Sequence, residues 1–170
     1  MSNGQTMLIA FDGSPRAARA LEHAARLLRP TTVEILTAWE PVARQAARTV
    51  SRTGVHQTVL DAEAAAEDPA QAEALKICRR GVEVAQSLGL AGRAHLVEAS
   101  TTIASAIVDA ARELDVDVIV TGTRALSGFR AWWNSSTADQ IVRASGLPVF
   151  IVPPELEEDE EEEPEYFEES

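Results

Sequence analysis

The stretch DVDVIVTGTRALSGFRAWWNSSTADQIVRASG, residues 115–146, decides the fold. It opens on an apolar run, residues 116–120, broken only by Asp117. A short run of branched apolar residues reads as a strand buried on both faces, the kind a parallel sheet contains. Gly- and Ser-bearing residues follow, and an amphipathic pattern resumes at Ser136. Ser135, Ser136 and Thr137 all suit a helix N-cap, and Ala138, Ile141, Val142 and Ser145 then recur at helical spacing. Strand, loop and helix N-terminus in that order present backbone N–H groups and the positive end of a helix dipole, which suits a phosphate.

Working outward from this unit, the same alternation runs through the chain. Residues 1–6 read as a polar, flexible leader. Residues 7–11 (MLIAF) form a first buried strand ending at Asp12; Gly13 supplies a tight turn, Ser14 an N-cap and Pro15 the first helical position. Ala17, Ala18, Leu21, Ala24, Ala25 and Leu28 predict a helix to about Arg29, stopped by Pro30. Residues 33–39 (VEILTAW) make a second strand, with Glu34 near its outer end. Residues 41–69 lack a clear period and are expected to be a long loop with local helix. Ala72, Leu75, Cys78, Val82, Ala85 and Leu88 mark a helix closed by Gly89, and residues 93–98 a third strand. Thr101 or Thr102 caps a helix carrying Ile103, Ala106, Ile107, Ala110, Ala111 and Leu114. Residues 147–152 (LPVFIV) are the last strand, placed at a sheet edge by Pro148. Strands alternating with helices argue one doubly wound parallel α/β sheet of five strands, with helices on both faces and ligands outside the carboxyl ends of the strands.

Composition narrows the function classes. The chain has 170 residues, 45% hydrophobic and 5% aromatic, which suits one α/β domain. No apolar run is long enough for a membrane span and no charged-then-apolar leader opens the chain, so a cytoplasmic protein without a membrane partner is expected. The single cysteine, Cys78, excludes an intramolecular disulfide and a cysteine metal cage; its helical neighbours predict a buried, inert thiol. His23, His56 and His95 lack metal spacing. The net charge of −12 is misleading: 11 of 27 acidic residues and no basic ones lie from Glu155 onward, leaving 16 acidic against 15 basic. The domain, residues 7–154, is therefore near neutral and carries no nucleic-acid signature. The like-charge tail, residues 155–170, is expected to be disordered. It reads either as a solubilising extension or as an interaction tail, with Tyr166 and Phe167 as apolar anchors for a protein partner.

Three segments then carry a resemblance: LIAFDGS (residues 8–14), DVDVIVTGTR (115–124) and GLPVFIVPP (146–154). With the pattern Gly122, two residues, Ala125, nine residues, Ser135-Ser136, the chain is similar to the universal stress protein (UspA-like) family, whose signature has Gly where Ala125 and Ser135 stand. At a site needing positive φ, either departure costs about 1 kcal/mol. The resemblance covers the chain to Pro154 and implies strand order 3-2-1-4-5, with Asp12 and Gly122 flanking the crevice. It further implies an adenine nucleotide ligand, ATP or AMP, with Mg²⁺ if ATP. On that basis Asp12 contacts the adenosine part and Ala38 lies against adenine. Gly122, Arg124, Ala125, Ser135, Ser136 and Thr137 serve the phosphates, and Gly128 gives the loop its flexibility.

Each residue also has a plainer reading. Asp12 can bond the turn's own N–H groups, Ala38 can be sheet packing, Gly122 a strand-end turn and the hydroxyls ordinary caps. Arg124 and Arg130 either reach phosphates or stay solvated. Trp132 and Trp133 divide between packing and covering a ligand or partner. The resemblance implies a homodimer through Val149–Val152, and it includes members that do not bind ATP, so an interaction module of the same fold is the alternative. No Gly-x-Ser-x-Gly elbow, Walker lysine motif or Ser-Gly-Gly-x-Asp-Ser loop occurs, and the only lysine is Lys76; a non-enzyme is expected.

Overall fold

Asp117, the one polar residue in the apolar run, ties two strands together. Its carboxylate accepts the Thr6 N–H at 2.7 Å, and its own N–H donates to the Thr6 carbonyl at 2.9 Å. The computed structural model describes residues 4–53, 68–123 and 137–155. In chain order these build β1 (Thr6–Ala10), α1 (Pro15–Leu28), β2 (Thr32–Trp39), α2 (Val42–Thr53), α3 (Pro69–Ser87), β3 (Gly92–Glu98), α4 (Ile103–Glu113), β4 (Val118–Gly122), α5 (Thr137–Ser145) and β5 (Val149–Val152). All strand pairs are parallel, in the order β3-β2-β1-β4-β5. The expected doubly wound α/β sheet is thus what forms.

Two cores cover its two faces, as crossover helices require. Met7, Ile9, Val33, Ile35 and Val120 pack against α1 and α3, while Leu8, Leu36 and Ile119 pack against α4 and α5. Local chemistry sets the helix ends. Ser14 accepts the Ala17 N–H at 3.2 Å ahead of Pro15. Asp68 caps α3 through the Ala70 N–H at 2.9 Å. Thr102 and Ser105 form a reciprocal capping box on α4. Cys78 is fully buried, its thiol directed at the Ile35 and His95 carbonyls at 3.5 and 3.4 Å, as an inert thiol should be.

Several expectations need correction. Thr6 belongs to β1 rather than to a loose leader, and Gln5 accepts N–H bonds from Thr31 and Thr32. Glu34, the third residue of β2, is buried: its side chain is 2% exposed and pairs with Arg93 and, at 2.6 Å, with His95 Nε2. Neighbouring β3 supplies both partners, so burial follows from strand pairing. Residues 42–53 form α2, the local helix expected within 41–69, anchored by the Val42 N–H to the Asp68 carboxylate at 3.0 Å. Val142 is 44% exposed and not part of the core, whereas Ala138, Ile141 and Ser145 are buried. The last strand starts at Val149 rather than Leu147, because Gly146 turns at φ +67° and Pro148 has no N–H to donate. Residues 1–3, 54–67 with His56, 124–136 and 156–170 lie outside the described residues. No described helix is long and apolar enough to cross a membrane.

Candidate functional site

The strand order reverses between β1 and β4, each of whose connections leaves on opposite sides, and a crevice opens at their carboxyl ends. The register there is Ile9 with Val120 on one side and Ala10 with Leu36 on the other. Continued at the same offsets, it sets Asp12 level with both Ala38 and Thr123. Three adjacent strands therefore deliver Asp12, Ala38 and Thr123 to one end of the sheet, beside Gly122. Of the three, Ala38 packs on the α4–α5 face, with Leu8, Leu36 and Ile119 in the same core.

Each position has a local cause. Asp12 is exposed, and its Oδ1 accepts the Ser14 N–H at 2.9 Å, so the Asx turn read from Asp-Gly-Ser is present. Gly13 turns the chain at φ +78°. Together they aim the first turn of α1 at the crevice. Ala38 is half-buried and packs on the α4-side core, which matches plain sheet packing at its base. Gly122 is not a turn glycine, since its φ lies outside the left-handed region. A Cβ there would stand 2.9 Å from the Arg16 carbonyl oxygen and 3.3 Å from its Cβ. Gly122 is thus needed because the first turn of α1 crosses directly over β4. Thr137 opens α5 and is exposed. Arg124, Ala125, Gly128, Arg130, Trp132, Trp133, Ser135 and Ser136 lie outside the described residues.

Two participants escaped sequence reasoning. Thr123 is 5% exposed, its N–H donates to the Val152 carbonyl at 3.1 Å, and its Oγ1 has no partner among the described residues. A buried hydroxyl without a partner is costly unless something else bonds it. An orphaned hydroxyl at the crevice therefore fits a polar ligand, while the exposed Asp12 carboxylate offers acceptors to a ribose or a base. Alternation along β4 from Thr121 was the available signal for Thr123. Arg16 gave none, because its closeness to Gly122 depends on how α1 crosses the sheet. Among the described residues no group of three His, Cys, Asp or Glu side chains could hold a metal ion.

Comparison with known proteins gives this geometry a lineage. The model of the universal stress protein family matches residues 4–153. The chain belongs to the universal stress protein family. Among curated relatives, the universal stress protein YxiE of Bacillus subtilis (strain 168) is 31% identical over 147 residues, covering 86% of this chain and 97% of YxiE. A universal stress protein solved in complex with cAMP is 24% identical, with a TM-score of 0.59 over 89% of this chain and 98% of its own. The Archaeoglobus fulgidus universal stress protein in complex with dAMP is 22% identical, with the same TM-score over the same shares of each chain. At those identities the solved structures establish the shared fold. Within the family signature, this universal stress protein keeps Gly122 and Ser136 and carries Ala125 and Ser135 in place of glycines.

Proposed function

We propose that this universal stress protein is a cytoplasmic regulator that binds an adenine nucleotide, ATP or AMP, in the crevice between β1 and β4, and signals by occupancy rather than turnover. The observation that carries this reading is the convergence of Asp12, Ala38 and Thr123 at one level of three central strands, with the Thr123 hydroxyl left for a ligand. The cAMP- and dAMP-bound relatives support the ligand class. Asp12 would hold the adenosine part and Ala38 would face the base. Main-chain N–H groups at Gly122, Arg124, Ala125 and Gly128, with the hydroxyls of Ser135, Ser136 and Thr137, would serve the phosphates, joined by Mg²⁺ for ATP. Ala125 and Ser135 favour a second reading, an interaction module of the same fold that has given up the nucleotide.

Isothermal titration with ATP·Mg²⁺ and with AMP separates the two, on the unmodified protein and on an Ala125→Gly, Ser135→Gly double variant. Micromolar binding by the unmodified chain, weakened about tenfold by Asp12→Ala through the loss of roughly 1.4 kcal/mol of hydrogen bonding, is expected. Binding only after the glycines are restored would favour the interaction module. Phosphate release should stay at buffer background.

A further inference from the structure

The chain leaves β5 at the crevice end of the sheet, and α1 takes hold of it there. Arg19 donates Nε to the Pro153 carbonyl at 3.3 Å and Nη1 to the Glu155 carboxylate at 2.7 Å. Arg19 is not isolated. Arg16, Arg19, His23 and Arg26 recur at intervals of three and four, so they share one flank of α1. Ala17, Ala20, Leu21 and Ala24 face the sheet, and Glu22, the single acidic residue of α1, lies one turn from both Arg19 and Arg26 at the margin of this flank. Among the described residues neither Arg16 nor Arg26 pairs with a carboxylate; Arg26 bonds instead to His23 Nδ1 at 3.0 Å. The flank is a basic stripe about 15 Å long. Residues 156–170 carry ten carboxylates and no cation, and fifteen residues can reach roughly 50 Å, well past either end of the stripe.

We propose that residues 156–170 dock as an intramolecular ligand along the Arg16–Arg19–His23–Arg26 stripe of α1, with Glu155–Arg19 as the first contact. One exposed ion pair contributes little by itself. A tethered segment, however, meets its site at an effective concentration near the millimolar range, and several weak pairs then act together. The stripe begins at Arg16, whose carbonyl abuts Gly122. A docked tail therefore sets negative charge beside the crevice, adding to Asp12. If the nucleotide reading holds, docking weakens phosphate binding in a salt-dependent way.

The test uses the full chain with a nitroxide on a Ser170→Cys variant; Cys78 is buried and stays unlabelled. At low salt, amide signals of residues 16–26 should lose intensity. They should recover in 1 M salt, where screening shortens to about 3 Å, and in an Arg16→Gln, Arg19→Gln, Arg26→Gln variant. Unchanged α1 signals, or broadening on another face, would overturn the docking. So would broadening that appears only when labelled and isotope-labelled chains are mixed, because the tail would then act between copies. Replacing the tail carboxylates by amides should raise ATP affinity several-fold at low salt. Equal affinities beside clear broadening would remove the competition and keep the docking. No nucleotide binding to any variant would count against the proposed function alone, since the broadening is read without ligand.

Discussion

A Cβ added at Gly122 would meet the backbone of Arg16, not the tip of a flexible side chain, so the conflict cannot be relieved by a rotamer change. The helix must lift or the strand must yield. Gly122→Ala should therefore lower stability by about 1–3 kcal/mol, the usual range for an overpacked site, read as a reduced midpoint in urea at unchanged slope. It should also weaken any ligand held at the crevice, because lifting the first turn of α1 moves Ser14 and Asp12 with it. Gly13 is the useful control. Its need for glycine is conformational, φ +78°, and a Cβ there meets only Ile77 side-chain atoms at 3.3 Å. Gly13→Ala should cost about 1 kcal/mol. Equal and small losses at both positions would mean that α1 does not press on β4.

Helix ends show how far local sequence carries the fold. After α3, Gly89 takes the left-handed position at φ +75°, and Leu90 and Gly89 donate to the Ala85 and Gln86 carbonyls at 3.0 and 2.9 Å. After α4 the same two bonds form, Val116 to Ala111 and Asp115 to Arg112, both at 3.2 Å, but Asp115 holds the left-handed position at φ +48°. Asp115 is exposed, so its side chain gains no packing to offset that strain. Asp115→Gly should stabilise the protein by about 0.5–1 kcal/mol, raising Tm by roughly 2–4 °C per kcal/mol in calorimetry; a fall in Tm would show the carboxylate has a partner that matters more. Capped elements such as α1 and α4 were legible because Ser14-Pro15 and Thr102 act within four residues of themselves. The helix α2 was read only as local helix within a long loop, since VARQAARTVSRT offers only small apolar residues to mark a buried face. The pairing of Glu34 with Arg93 and His95, and the contact of Gly122 with Arg16, depend on which elements end up adjacent. No local pattern encodes that. The strand order was legible because the family resemblance implied it, and it brings β1 and β4 side by side; the orphaned hydroxyl of Thr123 needed the structure.

At the scale of the whole molecule, the sheet has two edges of different chemistry. β3 carries Arg93 and His95, charged or polar groups of the kind that discourage edge-to-edge pairing. β5 is VFIV, short and apolar, with no charge along its length. An apolar edge with no further strand among the described residues invites a second copy, and pairing β5 with β5 in an isologous dimer would close it while continuing the sheet. Ile151 is the position at which to test this, because Val149, Phe150 and Val152 pack into the two cores while Ile151 belongs to neither. Ile151→Lys should leave the monomer folded, with an unchanged far-ultraviolet spectrum, and place a charge in the new interface. Sedimentation velocity should then show the unmodified chain at twice the chain mass and the variant at the chain mass. Because the stripe on α1 also reaches the β5 end of the sheet through Arg19 and Pro153, the comparison is best made at two salt concentrations. Dissociation caused by Ile151→Lys is apolar in origin and should persist in high salt, whereas an assembly held by the tail would come apart in salt without any substitution. A variant that still sediments as a dimer under both conditions would move the interface away from β5.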